Sequence, residues 1–129
     1  MSTANETVEA IWAAIGAHGV WKMRLKTAIT LGKSDLTVAN VCRDDLCDFG
    51  KWLNSPSLPA ALRQSDDFRT IRARHAEFHK CAGDVLGLAL SGQKDAALTR
   101  LDGDFAAQSQ GLALAMRQWS NGLAAAKVG

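Results

Sequence analysis

At 129 residues, with 47% hydrophobic and 22% charged side chains, the chain is expected to form one domain spanning residues 1–129, burying about two-thirds of its unfolded surface around a single core. Its formal net charge of +2, with acids scattered among the bases, argues against a nucleic-acid partner. The local group Arg69, Arg72 and Arg74 reads as a solvated helix face.

The first long helix is announced by Thr3-Ala4-Asn5-Glu6, a capping-box pattern. Its apolar stripe runs through Val8, Ile11, Ile15, His18, Trp21, Leu25 and Ile29 at steps of three or four, which places His18 on the core side. Gly32 to Asp35 supplies the stop. Residues 36–64 are more broken. A short helix starting near Asp44 or Asp45 carries Cys47, Phe49, Trp52 and Leu53, and one further turn follows with Pro59 at its start. Ser65-Asp66-Asp67 caps the next long helix, with acids where the macrodipole favours them. That helix has a nearly strict heptad stripe of Phe68, Ile71, His75, Phe78, Ala82, Val85 and Ala89, closed by Ser91-Gly92. The last helix runs from about Lys94 to Ala126, with Leu98, Leu101, Phe105, Leu112, Met116, Trp119 and Leu123 facing inward. No stretch alternates with a period of two. The expected fold is all-α, an antiparallel four-helix bundle with an extra short helix.

No apolar run approaches the roughly 20 residues that span a bilayer, and no basic-then-apolar leader opens the chain. A cytoplasmic protein with no membrane partner is therefore expected. Three cysteines in such a compartment are thiols or metal ligands, not a disulfide framework.

All three histidines of the chain fall where they can meet. His75 and His79 are four apart, so their rings lie on one helix face. His18 sits in the inward stripe of another helix, and Cys47 lies near the start of the short one. Three imidazoles and a thiolate form a tetrahedral complement suited to Zn²⁺. Each piece alone also fits an ordinary role: a hydrogen-bonded core histidine, a chance helical pair, or a small buried thiol. Jointly, one shared ion would satisfy three histidines that are costly to bury unpaired. Spacing leaves both readings open. The order His75-Ala76-Glu77-Phe78-His79 lacks the acid directly after the first histidine that zinc proteases use, and four protein ligands leave no position for water. No enzyme is expected. A di-iron bundle is excluded by the absence of the Glu-x-x-His pairs it requires.

At these residues the chain resembles the CZB family, the chemoreceptor zinc-binding domains. The family pattern is a first-helix histidine followed closely by Trp, then C-x-[LF]-G-[KR]-W, then H-x-x-x-H. Here it reads as His18 with Trp21, Cys47-Asp48-Phe49-Gly50-Lys51-Trp52, and His75 with His79. The resemblance implies a helical bundle holding one zinc through His18, Cys47, His75 and His79. It also implies a homodimer that signals through a partner protein or a fused output domain. In zinc-regulated diguanylate cyclases the domain is N-terminal and zinc suppresses the catalytic domain. In cytosolic chemoreceptors it is C-terminal and is linked to zinc and to hypochlorous acid. Cys81, two places after His79, is similar to the cyclase type. No cyclase motif or receptor coiled coil is present in these residues, so the output partner is expected on a separate chain or beyond this domain.

Cys47 is the expected redox-switchable ligand, placed in the first turn of the short helix where the dipole favours thiolate. Trp21 and Trp52 are expected to shield the site from water, and Gly50 to permit close helix approach. Asp45, Asp48 or Glu77 is expected to accept an imidazole N–H. The sequence assigns no role to Cys42; Cys81 is close enough in sequence to be a substitute ligand but reads rather as a small core residue. The chain is thus expected to be a sensory module answering to zinc or thiol oxidation; a rigid adaptor with a purely structural zinc is the alternative.

Overall fold

The computed structural model describes residues 4–128, with side-chain burial defined over residues 6–123. Thr3, half of the expected capping box, lies outside that range. Among the described residues, eight α-helices run in the order α1 (Ala4–Gly19), α2 (Trp21–Leu31), α3 (Val38–Val41), α4 (Asp48–Leu53), α5 (Ala60–Arg63), α6 (Asp66–Leu90), α7 (Lys94–Arg100) and α8 (Ala106–Val128), with a π turn at Leu101–Phe105 between the last two. No strand occurs among the described residues.

Three long rods carry the bundle. The first is α1 and α2, separated at Val20, whose φ of −83° and ψ of −10° keep the chain near helical. It ends at Gly32, where φ is 70° and the backbone N–H donates to the Ala28 carbonyl at 2.8 Å; only glycine takes that left-handed turn without strain. The second rod is α6, opened by Ser65, whose hydroxyl accepts from the Phe68 N–H at 3.1 Å. The third is α7, the π turn and α8. Ala97, Leu101 and Phe105 are all buried, yet successive steps of four overshoot the 3.6-residue repeat of an α-helix. The wider turn at 101–105 absorbs that overshoot and keeps all three on the core side.

Helix α6 is central: α2, α3, α7 and α8 all pack on it, while α1 lies on α8 and α4 on α1. Its expected stripe, Phe68, Ile71, His75, Phe78, Ala82, Val85 and Ala89, is buried throughout. The core closes over Phe68, Phe78, Phe105, Ile11, Leu25 and Met116. Each such side chain contributes about 1.5–3 kcal/mol by leaving water. The ion pairs, such as Lys22–Asp102 at 4.0 Å and Arg69–Asp66 at 3.5 Å, are exposed and are worth about 0–1 kcal/mol each. Burial, not surface charge, holds the bundle together.

The short segments depart from the sequence expectation. Helix α3 was not foreseen, and α4 begins at Asp48 rather than near Asp44 or Asp45. Helix α3 packs where α6 has a shallow groove: a Cβ at Gly83 would stand 2.7 Å from the Cys42 Cβ, and one at Gly87 3.8 Å from the Val38 Cγ2. Gly83→Val therefore pushes α3 outward. The expected cost is about 1–3 kcal/mol, read as a lower midpoint in thermal unfolding; an unchanged midpoint would show that α3 does not need this close approach.

Candidate metal centre

Each donor reaches the centre from a different structural context. His18 lies in the last turn of α1, held inward by the Ile11–Ala14–Leu25 stripe. His75 and His79 stand one turn apart on α6 and are almost fully buried. Cys47 is the N-cap of α4, with φ −77° and ψ 160°, and its Sγ accepts from the Gly50 N–H at 3.3 Å. The expectation that Asp44 or Asp45 caps this helix is corrected: the thiol itself is the cap. Asp45 is instead engaged by Arg43, at 2.8 and 2.9 Å.

The three Nε2 atoms and Sγ lie within 4.8 Å of one another. His75 Nε2 is 3.1 Å from both His18 Nε2 and His79 Nε2. Cys47 Sγ is 3.3 Å from His75 Nε2, 3.6 Å from His79 Nε2 and 3.9 Å from His18 Nε2. A tetrahedral ion with bonds of about 2.0–2.1 Å to nitrogen and about 2.3 Å to sulfur needs N–N edges of about 3.3 Å and N–S edges of about 3.6 Å. Five of the six edges thus lie within about 0.3 Å of those lengths.

The tautomers explain why an ion fits. His18 Nδ1 donates to the Ala14 carbonyl at 2.8 Å and His79 Nδ1 to the Val41 carbonyl at 3.0 Å. A carbonyl only accepts, so both protons sit on Nδ1 and both Nε2 atoms present bare lone pairs. Burial, the largest cause, lowers the His18 pKa to about 4 and the His75 pKa to about 3, and it lowers that of His79 as well. The rings are therefore neutral near pH 7. His75 Nε2 has at most one proton to offer two facing imidazoles and a sulfur. Lone pairs are left facing lone pairs in a buried place, an arrangement that a central cation converts from repulsion to attraction. His75 Nδ1 is buried with no hydrogen-bond partner in the protein, so no acceptor fixes the His75 tautomer and only its Nε2 meets polar neighbours.

These carbonyl acceptors replace the expected carboxylates. Neither Asp48 nor Glu77 takes an imidazole proton; the backbone of α1 and the end of α3 do. The Gly83–Gly87 groove matters here, because it seats α3 where its Val41 carbonyl meets His79 on the same face of α6.

The walls are aromatic. Phe78 stands edge-on to His18 at 5.1 Å, Phe49 to His75 at 5.2 Å and Trp21 to His79 at 6.0 Å. Trp52 is half-buried and stacks on Phe49 at 5.6 Å, with Trp119 at 6.1 Å, so its cover acts through Phe49. Phe49 and Phe78 were not singled out from the sequence, although both lie in inward stripes beside a donor. At Gly50 any Cβ would overlap the Asp44 carbonyl oxygen; glycine lets the turn before Cys47 fold over α4. Cys81 is buried, as a core residue would be, and is not among the four converging donors, while Cys42 is exposed at the end of α3. Burial pushes the Cys47 thiol pKa up, opposed by the Gly50 N–H. The helix terminus alone therefore does not make it a thiolate, and a bound cation is required.

A helical bundle that converges three imidazoles and one thiol on a single point is a metal-binding protein of closed donor type. The model of the chemoreceptor zinc-binding domain matches residues 18–86, more than half of the chain, and the chain belongs to that family. Its metal is Zn²⁺. No curated relative and no solved structure matches the chain. No described helix is long and apolar enough to cross a membrane.

The neutral histidines set a pH dependence. Their folded pKa values lie below the unfolded value near 6.5, so unfolded chains bind more protons as pH falls. Stability is full above about pH 6.5 and is lost progressively as pH falls toward 4 and 3. Denaturant midpoints of the zinc-free protein should therefore decline across this window and stay level above it; a flat profile from pH 7 to 4 would rule out neutral buried imidazoles.

Proposed function

We propose that this chain is a zinc-binding sensory module rather than an enzyme, with His18, Cys47, His75 and His79 holding the ion and Cys47 acting as the releasable ligand. The observation that carries this reading is the double role of Cys47 Sγ, which lies 3.3 Å from His75 Nε2 and also caps α4 through the Gly50 N–H. A histidine on a 25-residue helix cannot move alone. A cap on a six-residue helix can.

When bound, zinc holds the Cys47 sulfur as thiolate and balances the converging lone pairs. The protein's own residues do the rest. The Ala14 and Val41 carbonyls keep His18 and His79 in the tautomer that presents Nε2. Phe49, Phe78 and Trp21 exclude water. Sulfur that leaves the centre, through loss of the ion or through oxygen transfer from an oxidant such as hypochlorous acid, also withdraws the acceptor from the Gly50 N–H. Losing an N-cap costs about 0.5–2 kcal/mol, enough to matter for a helix this short. Helix α4 carries Phe49, Trp52 and Leu53, and Trp52 meets Trp119 on α8. Displacing α4 thus alters its contacts with α1 and α8, which supports a readout by protein–protein contact in a cytoplasmic chemotaxis or cyclic-di-GMP pathway. A purely structural zinc is the competing reading: it predicts that the zinc-free chain does not fold.

Metal content after dialysis against a strong chelator tests this first. Wild type should retain about one zinc per chain, as a four-ligand site with nanomolar or tighter affinity would. Cys47→Ala should keep its helical circular dichroism and bind zinc at least about tenfold more weakly, the loss seen on removing a single site contact. Equal affinity in the mutant would remove Cys47 from the site. A second outcome concerns the switch: Trp119 fluorescence, read with the other tryptophans replaced by Phe, should shift on chelation and return with zinc. No shift would leave zinc as a staple only.

A further inference from the structure

Cys42 is an exposed thiol at the end of α3 and has no part in the metal centre. Its place is nonetheless fixed relative to that centre. A Cβ at Gly83 would stand 2.7 Å from the Cys42 Cβ, so Cys42 rests against α6 at Gly83. His79 lies four residues before Gly83, one turn away on the same face of that helix. The residue before Cys42 is Val41, whose carbonyl accepts from His79 Nδ1 at 3.0 Å. The other nitrogen of the same ring, Nε2, stands 3.6 Å from Cys47 Sγ. A single imidazole therefore separates the Cys47 sulfur from the peptide unit that leads into Cys42. Cys81 offers no such approach. It follows His79 by two residues, which turns it to another face of α6, and there it is buried against Arg100 of α7.

The chain between these two thiols is short and lightly held. Residues 43–47 form no helix. Among the described residues, Asp44 to Cys47 donate no backbone hydrogen bond to another backbone group. The ion pair within the loop, Arg43–Asp45 at 2.8 Å, is exposed, and so is Leu46. What anchors the far end is Cys47 itself, through its place among the histidines and its hold on the Gly50 N–H at 3.3 Å. Segments with few buried contacts and few backbone hydrogen bonds open at low cost. Once the sulfur leaves the centre, the loop is free to swing past the edge of the His79 ring towards Cys42. A disulfide needs its two Cα atoms about 4.4–6.8 Å apart, and a span this short closes to that distance by tightening its turns.

We infer that Cys42 is the resolving thiol of this centre: it captures oxidised Cys47 as an intramolecular disulfide and so makes the loss of that ligand reversible. The inference rests on Cys47 being the releasable, oxidant-sensitive ligand of the proposed function. Hypochlorous acid transfers its oxygen to the Cys47 thiol, which becomes a sulfenic acid while chloride and a proton leave. The Cys42 thiolate then attacks that sulfur. The S–S bond forms, the S–O bond breaks, and the departing hydroxide takes up a proton to leave as water. Two electrons have passed from the pair of thiols to the chlorine of the oxidant. Without a resolving thiol, a sulfenic acid goes on to sulfinic and sulfonic acids, which thiol reductants do not reverse. The exposure of Cys42 suits this task, since it leaves the finished disulfide open to attack by a dithiol reductant.

The arginine between the two cysteines makes the pairing readable. Trypsin cuts after Lys33, Arg43 and Lys51, so Cys42 and Cys47 fall in separate peptides, residues 34–43 and 44–51. Protein supplied with zinc is treated with one equivalent of hypochlorous acid, remaining thiols are blocked with iodoacetamide, and unreduced digests are read by mass spectrometry. Wild type should yield the two peptides joined, from a band that runs as a single chain on a denaturing, non-reducing gel. Cys42→Ser should keep wild-type helical circular dichroism and zinc content before treatment, then carry Cys47 as sulfinic or sulfonic acid. After dithiothreitol, wild type should recover nearly all its zinc binding and Cys42→Ser several-fold less. Cys81→Ser should behave as wild type. Unlinked Cys47 carrying sulfinic acid in wild type, a Cys47–Cys81 pair, or a link only between chains would each overturn the resolving role while leaving Cys47 the oxidised ligand. Cys47 that stays reduced would overturn the proposed release and the pairing with it. A Cys42–Cys47 bond in a chain that takes up no zinc would count against the metal site and leave the pairing standing.

Discussion

Three neutral imidazoles whose Nε2 atoms meet at one buried point constitute the constraint around which this bundle is organised. Two of the protons that could have relieved it are committed to the Ala14 and Val41 carbonyls. The third ring is bordered by Phe49 and has an Nδ1 with no hydrogen-bond partner in the protein. A protein interior tolerates polar groups when they are paired, and here the only partner that could satisfy all of them at once is a cation. Each helix that touches the centre supplies either a donor or the acceptor that orients one. The metal chemistry and the packing are therefore one problem.

Small residues solve the geometric part of that problem. Gly83 and Gly87 lower α3 onto α6 until a backbone carbonyl can meet His79. Gly50 lets the Asp44 carbonyl cross α4 just ahead of the thiol. A carbonyl is a better orienting group here than a carboxylate. It fixes the tautomer without adding a negative charge of its own beside the Cys47 sulfur, and it needs no ionisation in an apolar wall.

The four donors are not mechanically equivalent. His75 and His79 are built into the longest of these helices, and His18 into α1, which packs along α8. Cys47 hangs from a loop and starts a helix of six residues. A change at the centre is therefore expressed first in α4 and in the Phe49–Trp52–Trp119 contacts behind it. The exposed, uncharged face of α1 lies next to this corner, and Ala13 and Ala17 of that helix line the groove that reaches His18 and Cys47.

Much of this architecture is legible in the order of the residues. Periodicity alone places the three rods and the inward stripe of α6, because a long amphipathic helix repeats its apolar residues too often for chance. The four donor types and their order stand out because the chain uses every histidine it has at core positions, and Trp21 and Trp52 lie in view beside them. The short helices do not: α3 and the start of α4 are each about a turn long, too brief for a periodic signal, and their positions come from docking against glycines on α6 and from the Cys47 cap. The orienting partners of His18 and His79 escape sequence reasoning for a related reason. A carbonyl belongs to every residue, so no residue type announces which one will accept. The sequence by itself determined the bundle and the chemistry available to it, since both depend on side-chain identity and spacing along a helix. Only the tertiary structure decided that four donors from three segments converge within a metal's reach, and which backbone atoms aim them, since those depend on distances between segments far apart in the chain.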